Sequence, residues 1–368
     1  MKTKIQTLRE QIMNLPDPRR TSYGNIRHKL EDIIIIGLCT IICGGEDFAD
    51  MEAFGTEREA FLRKFLELPN GIPDADTFRR LFEALDPSAL SECLVNWLDA
   101  ELPERCVIAV DGKTIRGSEN KKHKAYHVVS AFVAENQITL GEITVDEKSN
   151  EINAVPDLLD LLYIDGAVVT ADSMSCQKKI VEKIIGGGAD YCIALKGNQP
   201  TLYRDVEDYF HEYAKETPTY KTVEKGHGRI EVREYYLSED IIWLEARNDW
   251  KGLKGIGMVK AAVTEGEKES EYTRYFITSL TDIREFAYAV RKHWSIENQL
   301  HWCLDVIFRE DAARARKEMS PLNMNVLRKT ALSLLNQAKY GRLSKKKMMF
   351  KASLNPDVLL SVLLAGKK

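Results

Sequence analysis

Long apolar runs, paired cysteines and low-complexity linkers are all scarce in this chain, and each absence removes a class of protein. The longest apolar run, Ile33 to Cys43, is interrupted by Gly37 and Thr40. It is too short to span a bilayer and suits a buried helix, so no membrane partner is expected. No charged, then apolar, then small-residue pattern opens the sequence, which argues against a signal peptide. The seven cysteines are scattered, with no Cys-x-x-Cys pair. An odd count without pairs disfavours a disulfide framework or a zinc knuckle and points to a reducing cytoplasm. What is present is ordinary for a globular protein: 44% apolar and 29% charged residues exclude wholesale disorder. With 368 residues the chain can build two or three domains with proper cores.

The formal net charge of -4 hides an uneven distribution. From Arg309 to Lys368 there are 14 Lys and Arg against four acids, a balance of +10, which leaves -14 for the residues before them. A basic C-terminal segment attracts polyanions, because Lys and Arg neutralise phosphates and release counterions. A solvated charged helix surface has the same composition.

Residues 1–100 have helical periodicity. Expected are a short apolar helix over Asp32–Cys43, an amphipathic one over Asp50–Leu66, and one capped by Asp76 that runs to Leu85. Asp86-Pro87 breaks the pattern before a further helix ending at Leu98. Thr77, Arg79 and Arg80 open one of these helices, so the segment fits either a DNA-binding helical module or a plain helical bundle. From Arg105 the pattern changes. Cys106 to Asp111 is an apolar strand ending on a carboxylate. Tyr126–Val133 and Ile138–Val145 form a hairpin through the Ala134–Gln137 turn. A helix over Val155–Leu162, a strand Ala167–Asp172, a helix Gln177–Ile185 closed by Gly186–Gly188, and a strand Tyr191–Leu195 follow. This order predicts an α/β fold, a mixed sheet covered by helices as in ribonuclease-H-like nucleases. Alternating runs at Arg229–Leu237, Gly257–Val263 and Tyr272–Ser279 make about 220–280 a β-rich insertion. A long helix from Ile283 to about Ile307 closes the domain. The expected division is a helical domain at 1–100, the α/β domain with its insertion at 101–310, and a basic helical segment at 311–368.

Two strands ending on Asp are individually unremarkable, since either Asp can cap a helix. Together they say more, because ligands of open sheets bind beyond the strand ends. If the two strands are neighbours, Asp111 and Asp172 face each other there, and without a cation one of them must protonate. Mg²⁺ resolves the conflict, since hard cations prefer carboxylate oxygens. Lys113 and Arg116 follow Asp111 closely and suit a phosphate backbone. On the long helix Glu297 shares a face with His293 and His301 at i±4 spacing. A surface pair network accounts for that spacing equally. A zinc site at these three is disfavoured, because the His-Glu-x-x-His spacing is absent.

Several stretches together carry a family resemblance. They are Gly71-Ile-Pro-Asp-Ala-Asp-Thr-Phe78, Ala109-Val-Asp-Gly-Lys-Thr-Ile-Arg-Gly-Ser118, Ala171-Asp-Ser-Met-Ser-Cys-Gln-Lys178, Leu195-Lys-Gly-Asn-Gln199, His227-Gly-Arg-Ile-Glu231, His293-Trp-Ser-Ile-Glu-Asn298 and Leu304-Asp-Val-Ile-Phe-Arg-Glu-Asp-Ala-Ala-Arg314. In order and over nearly the whole chain, they are similar to the H-repeat-associated group of insertion-sequence transposases. The resemblance implies a ribonuclease-H-like catalytic domain with a β-rich insertion before the glutamate helix. It implies that Asp111, Asp172 and Glu297 are the DDE triad, holding two Mg²⁺ or Mn²⁺ ions. The implied reaction is cleavage of double-stranded DNA at element ends and joining to target DNA. The expected protein works as a homodimer on DNA, in a bacterial cytoplasm at the nucleoid. The alternatives are a nuclease that cuts without joining and an inactive DNA-binding descendant.

The wider superfamily places Tyr, Arg and Lys around the catalytic Glu, where this chain has Val290, His293 and Leu304. His293 is the residue available in place of the Arg; Leu304 cannot replace a Lys. Expected DNA contacts are therefore Lys113, Arg116, Lys196 and Asn198 of the Lys-Gly-Asn-Gln loop, Arg229, His293, and the tail residues Lys345, Lys346 and Lys347.

Overall fold

The computed structural model describes residues 4–19, 24, 26–98, 102–121, 123–145, 150–226, 228–338, 341 and 343–365. The N-terminal part is helical: α1 (Lys4–Met13), α2 (Leu30–Ile42), α3 (Phe48–Glu57), the short α4 (Glu59–Leu62), α5 (Ala75–Ala84) and α6 (Pro87–Leu98). Helix α2 is apolar on every side, and all 13 of its residues are buried, as an all-round hydrophobic helix requires. The amphipathic stretch expected as one helix breaks at Arg58 into α3 and α4. Asp74, not Asp76, caps α5 by accepting from Thr77 N. Asp76 instead pairs with Arg79 and Arg80 on the same helix, so these two arginines have partners of their own.

The α/β part follows as β1 (Val107–Thr114), β2 (His127–Val133), β3 (Ile138–Val145), α7 (Glu151–Asp160), β4 (Val168–Ala171), α8 (Lys178–Gly186), β5 (Asp190–Leu195) and α9 (Pro200–Tyr213). Then come β6 (Thr219–Gly226), β7 (Arg229–Ser238), β8 (Gly255–Glu265) and β9 (Lys268–Thr278). All nine strands form one sheet in the order β3-β2-β1-β4-β5-β9-β8-β7-β6. Strand β1 is antiparallel to β2 and parallel to β4, and β4 is parallel to β5. The insertion is therefore not a separate layer. Its antiparallel meander continues the sheet, with β9 pairing antiparallel to β5.

Helices α7, α8 and α9 cover one face through Val155, Leu158, Val181, Ile184, Val206 and Phe210. On the other face α10 (Ile283–His293) packs Phe286, Ala287, Ala289 and Val290 against Val107, Val168 and Phe276. The helix expected to run to about Ile307 is helical over that whole stretch, but it is α-helical only as far as His293. Beyond it, Ile296–His301 and Cys303–Ile307 have wider π-helical turns, a form that recurs at functional sites. The chain closes with α11 (Ser320–Gln337), α12 (Lys345–Leu354) and α13 (Pro356–Leu363). Helix α11 is buried along most of its length, and Met324, Leu327, Ala331 and Leu334 share one core with α1–α6. The two helical segments, separate in sequence, thus form one body against the sheet.

That burial redefines the basic tail. Arg328 and Lys329 lie in the interior, pairing with Glu310 and Glu142. Arg309 and Lys317 meet Glu46 and Glu83. The first two cations belong to the interior, and the other two are exposed at the surface but already have carboxylate partners. Among the described residues no helix is long and apolar enough to cross a membrane.

Candidate active site

Strand β1 outlasts its parallel neighbour. The last parallel pair is Val110 with Ala171, while β1 continues beside β2 until Thr114 pairs with His127. Asp111 is therefore inside a strand rather than at its end, as the apolar pattern had implied. Asp111 and Asp172 are the next residues after that last pair, standing where β4 turns away and opens a crevice. Asp172 makes the turn: its Oδ1 accepts from Met174 N at 3.0 Å and Ser175 N at 3.3 Å. Gly112 is needed for a different reason. A Cβ there would stand 2.3 Å from His127 Nε2 and 2.6 Å from Glu151 Oε1, a buried pair 3.2 Å apart behind the strand.

The π-helical segment after α10 brings Glu297 and His301 to the same place. His301 Nδ1 lies 3.5 Å from Glu297 Oε2 and 3.7 Å from Asp111 Oδ2. One donor atom from each of the three falls within 4.8 Å of the others, a group able to hold a metal ion. Asp172 is outside that close group but lines the same cleft, of about 590 Å³, with Asp111, Glu297, Lys196 and His293. Burial, and then the neighbouring Glu297 charge, push the Asp111 carboxyl up to about 8. The His301 hydrogen bond holds Glu297 below the usual range. Burial and the Glu297 charge thus disfavour ionisation of Asp111 while Glu297 stays charged. Paired acids that cannot both ionise fit a divalent cation bound through oxygen. The Nε2 of His301, buried without a hydrogen-bond partner, shows the cluster is incompletely satisfied.

The expected DNA contacts divide sharply. Lys196 is exposed on the cleft rim. Lys113 is not available to phosphate: it is buried, with Nζ 2.6 Å from Asp305 and 3.0 Å from Glu310. Asn198 spends its Nδ2 on Ser173 O at 2.7 Å, tying its loop to the turn after Asp172. His293 bonds Thr170 Oγ1 through Nδ1 at 3.1 Å. Burial and the nearby Arg274 lower its pKa to about 4, so it is neutral and does not supply the charge of an arginine. Arg116 is exposed outside the cleft lining, and Arg229 leans on Glu231 at 3.5 Å. Lys346 and Lys347 are exposed, and Lys345 half-buried, in the first turn of α12. Sequence reasoning missed Arg274 and Tyr203, which also line the cleft. The alternation of β9 was the only signal for Arg274.

Sheet order 3-2-1-4-5 with acids at the β1/β4 crevice defines a ribonuclease-H-like domain. The chain belongs to the DDE transposases: residues 102–334 match the family described as Transposase DDE domain, and residues 9–98 match its DDE_Tnp_1-associated family. It is 37% identical to the "H repeat-associated putative transposase YhhI" of Escherichia coli strain K12, over 98% of both chains. It is equally 37% identical to the "Putative transposase YncI" of Escherichia coli O157:H7, over 98% of this chain and 95% of the relative. A shorter relative, "Inactive transposase YbfQ" of strain K12, is 36% identical over 21% of this chain and 90% of its own length.

Proposed function

We propose that this transposase cuts DNA at the ends of an insertion sequence and joins the freed 3′ ends to target DNA, using divalent metal held by Asp111, Asp172 and Glu297. The observation that carries the reading is the pairing of Asp111 with Glu297 beside Asp172, in a cleft rimmed by Lys196. When bound, two Mg²⁺ or Mn²⁺ ions would activate the attacking oxygen and stabilise the leaving 3′ oxygen. Water adds to a phosphodiester phosphorus and the bond to the 3′ oxygen breaks. The resulting 3′-OH then attacks a target phosphodiester, forming one P–O bond as another breaks. The chain's own residues do the rest. His301 orients Glu297, the capped turn fixes Asp172, and Gly112 lets β1 close on its support. Phosphoryl transfer asks a protein chiefly for positioning and charge neutralisation.

On this reading residues 101–310 are the catalytic unit, with the meander as its insertion, and a homodimer acts on DNA at the bacterial nucleoid. Asp111→Asn, Asp172→Asn and Glu297→Gln should each abolish metal-dependent nicking of plasmid DNA while leaving DNA binding intact, because losing a metal ligand need not disturb phosphate contacts. Nicking that survives all three substitutions makes these residues structural. A wild-type protein that binds DNA without nicking it favours an inactive descendant, and one that nicks without joining is a nuclease.

A further inference from the structure

The acids account for the floor of the cleft but leave its opposite wall unexplained. The last paired residues of β5 and β9 are Leu195 and Tyr275. Continuing that register by one residue reaches Lys196 and Arg274, both lining the cleft. The carbon at the centre of the Arg274 guanidinium lies 4.6 Å from the Trp294 ring centroid and 5.0 Å from that of Tyr272. Trp294 directly follows α10 and belongs to the same wall as His293. Tyr272 is itself held: its hydroxyl donates to Glu231 Oε1 at 3.2 Å, and Glu231 is buried against Arg233 at 2.5 Å. This places Glu231, one end of the His-Gly-Arg-Ile-Glu stretch, under the arginine's platform; His227 at its other end lies outside the described residues.

Among the described residues, no carboxylate lies within 4.0 Å of the Arg274 guanidinium. Lys113, close to the acids in sequence, is paired within the protein, which leaves Arg274 and the exposed Lys196 as the cations of this cleft. A guanidinium whose faces rest on aromatic rings keeps its in-plane N–H donors, and that fork matches two oxygens of one phosphate. The rings also fix its orientation before any ligand arrives, which reduces the ordering cost of binding.

We propose that Arg274, held against Trp294 and Tyr272, grips a backbone phosphate of the DNA strand that enters the cleft and so sets the strand's position over the acids. The inference rests on the DNA-cutting reading above and adds a residue from the inserted strands to it. Arg274 is a positioning residue: it acts on a phosphate beside the reacting one. The helical segment that bears Glu297 supplies no cation to this wall, so the charge there comes from Arg274.

The test uses the full chain with Arg274→Gln and Arg274→Lys. Binding of a short DNA duplex is titrated by fluorescence anisotropy in EDTA at several salt concentrations, and nicking of plasmid is followed in Mn²⁺. Arg274→Gln should lower the slope of log affinity against log salt by about one unit, as for one lost phosphate contact. Its nicking rate per bound complex should fall by ~100-fold. Arg274→Lys should restore the slope but leave the rate at least ~10-fold down, because an ammonium keeps the charge and loses the stacked fork. Matching thermal unfolding of both variants and wild type shows that the fold is kept; should the Gln variant fail to fold, the Lys variant's rate carries the test. An unchanged salt slope in Arg274→Gln overturns the inference even where wild type nicks normally. A Lys variant as fast as wild type overturns the stacked, two-donor geometry. A wild-type chain that neither binds nor nicks DNA removes the underlying reading instead.

Discussion

Glu310 offers the sharpest energetic test, because its carboxylate is fully buried and joins three parts of the chain. Its Oε2 accepts from Lys113 of β1 at 3.0 Å, and its Oε1 accepts from Asn325 of α11 at 2.8 Å and faces Arg328 at 3.5 Å. Lys113 also holds Asp305, in the segment that carries Glu297. Glu310→Gln keeps the shape and removes the charge, so it leaves Arg328 buried without its counter-ion. Breaking one side of a buried pair costs about 3–5 kcal/mol. At an unfolding entropy of about 2.1 cal/mol/K per residue, a chain of this length loses roughly 4–7 °C in Tm. Combining Glu310→Gln with Arg328→Met should recover more than half of that loss, since the charge no longer has to be buried alone. Burial raises the Glu310 pKa, but Lys113 and Arg328 outweigh it and leave the group below its ordinary value. A depressed carboxylate contributes stability above its unfolded pKa and loses it as pH falls through the folded one. The penalty of Glu310→Gln should therefore be full at neutral pH and shrink below about pH 4. Calorimetry reads all three outcomes. A single variant within 1 kcal/mol of wild type would refute the buried network as a source of stability.

Three further outcomes follow from named contacts. Gly112→Ala should lower Tm and slow nicking together, because the new Cβ meets His127 and Glu151 behind Asp111; unchanged Tm and rate would show that the close approach is dispensable. Changing Lys345, Lys346 and Lys347 together to Gln should shallow the salt dependence of DNA binding by up to about three units and leave the rate per bound complex nearly unchanged; an unaltered slope assigns these charges to solvent. All seven cysteines are free, and burial raises the thiols of Cys39, Cys43, Cys93, Cys106, Cys176, Cys192 and Cys303. A thiol reagent at pH 8 should accordingly find almost no fast-reacting group in the native chain and all seven after unfolding; several fast thiols in the folded protein contradict that burial.

The strands of the catalytic half were legible because their signal is local. Apolar runs bounded by Asp and Gly gave β3 to the residue and β4 and β5 within one or two. What failed was long-range. The end of β1 was placed at Asp111, where the apolar run stops, yet its pairing with β2 carries Gly112, Lys113 and Thr114 onward. Lys113 beside an acidic crevice has the appearance of a phosphate contact until Glu310, 197 residues away, is seen to hold it. The helix after Ile283 keeps its amphipathic pattern and contains no Pro or Gly, so nothing in it announced the π-helical turns. The alternation in the insertion revealed strands, but not that β9 would join the edge of β5.

These failures share one cause, which bears on how the site works. A cation's role depends on whether folding has already given it a carboxylate, and that partner is usually distant in sequence. Arg309, Lys317, Arg328 and Lys329 look like a DNA-binding tail, yet each has a carboxylate partner within the protein, the first two at the surface and the last two in the interior. Lys196 and Arg274 belong to no basic run and, among the described residues, have no carboxylate partner on the cleft rim. Strand register sorts the charges further. Asp111 and Asp172 follow the last pair of β1 and β4, whereas Lys196 and Arg274 follow the last pair of β5 and β9. Acids therefore lie at one end of the crevice and cations at the other. On the proposed reading a metal ion is drawn to the first and a phosphate to the second, so a strand gripped at the rim would be carried toward the acids. Moving either set by one residue along its strand would turn it to the opposite face of the sheet, which makes the register itself the feature that keeps the two charges on one side.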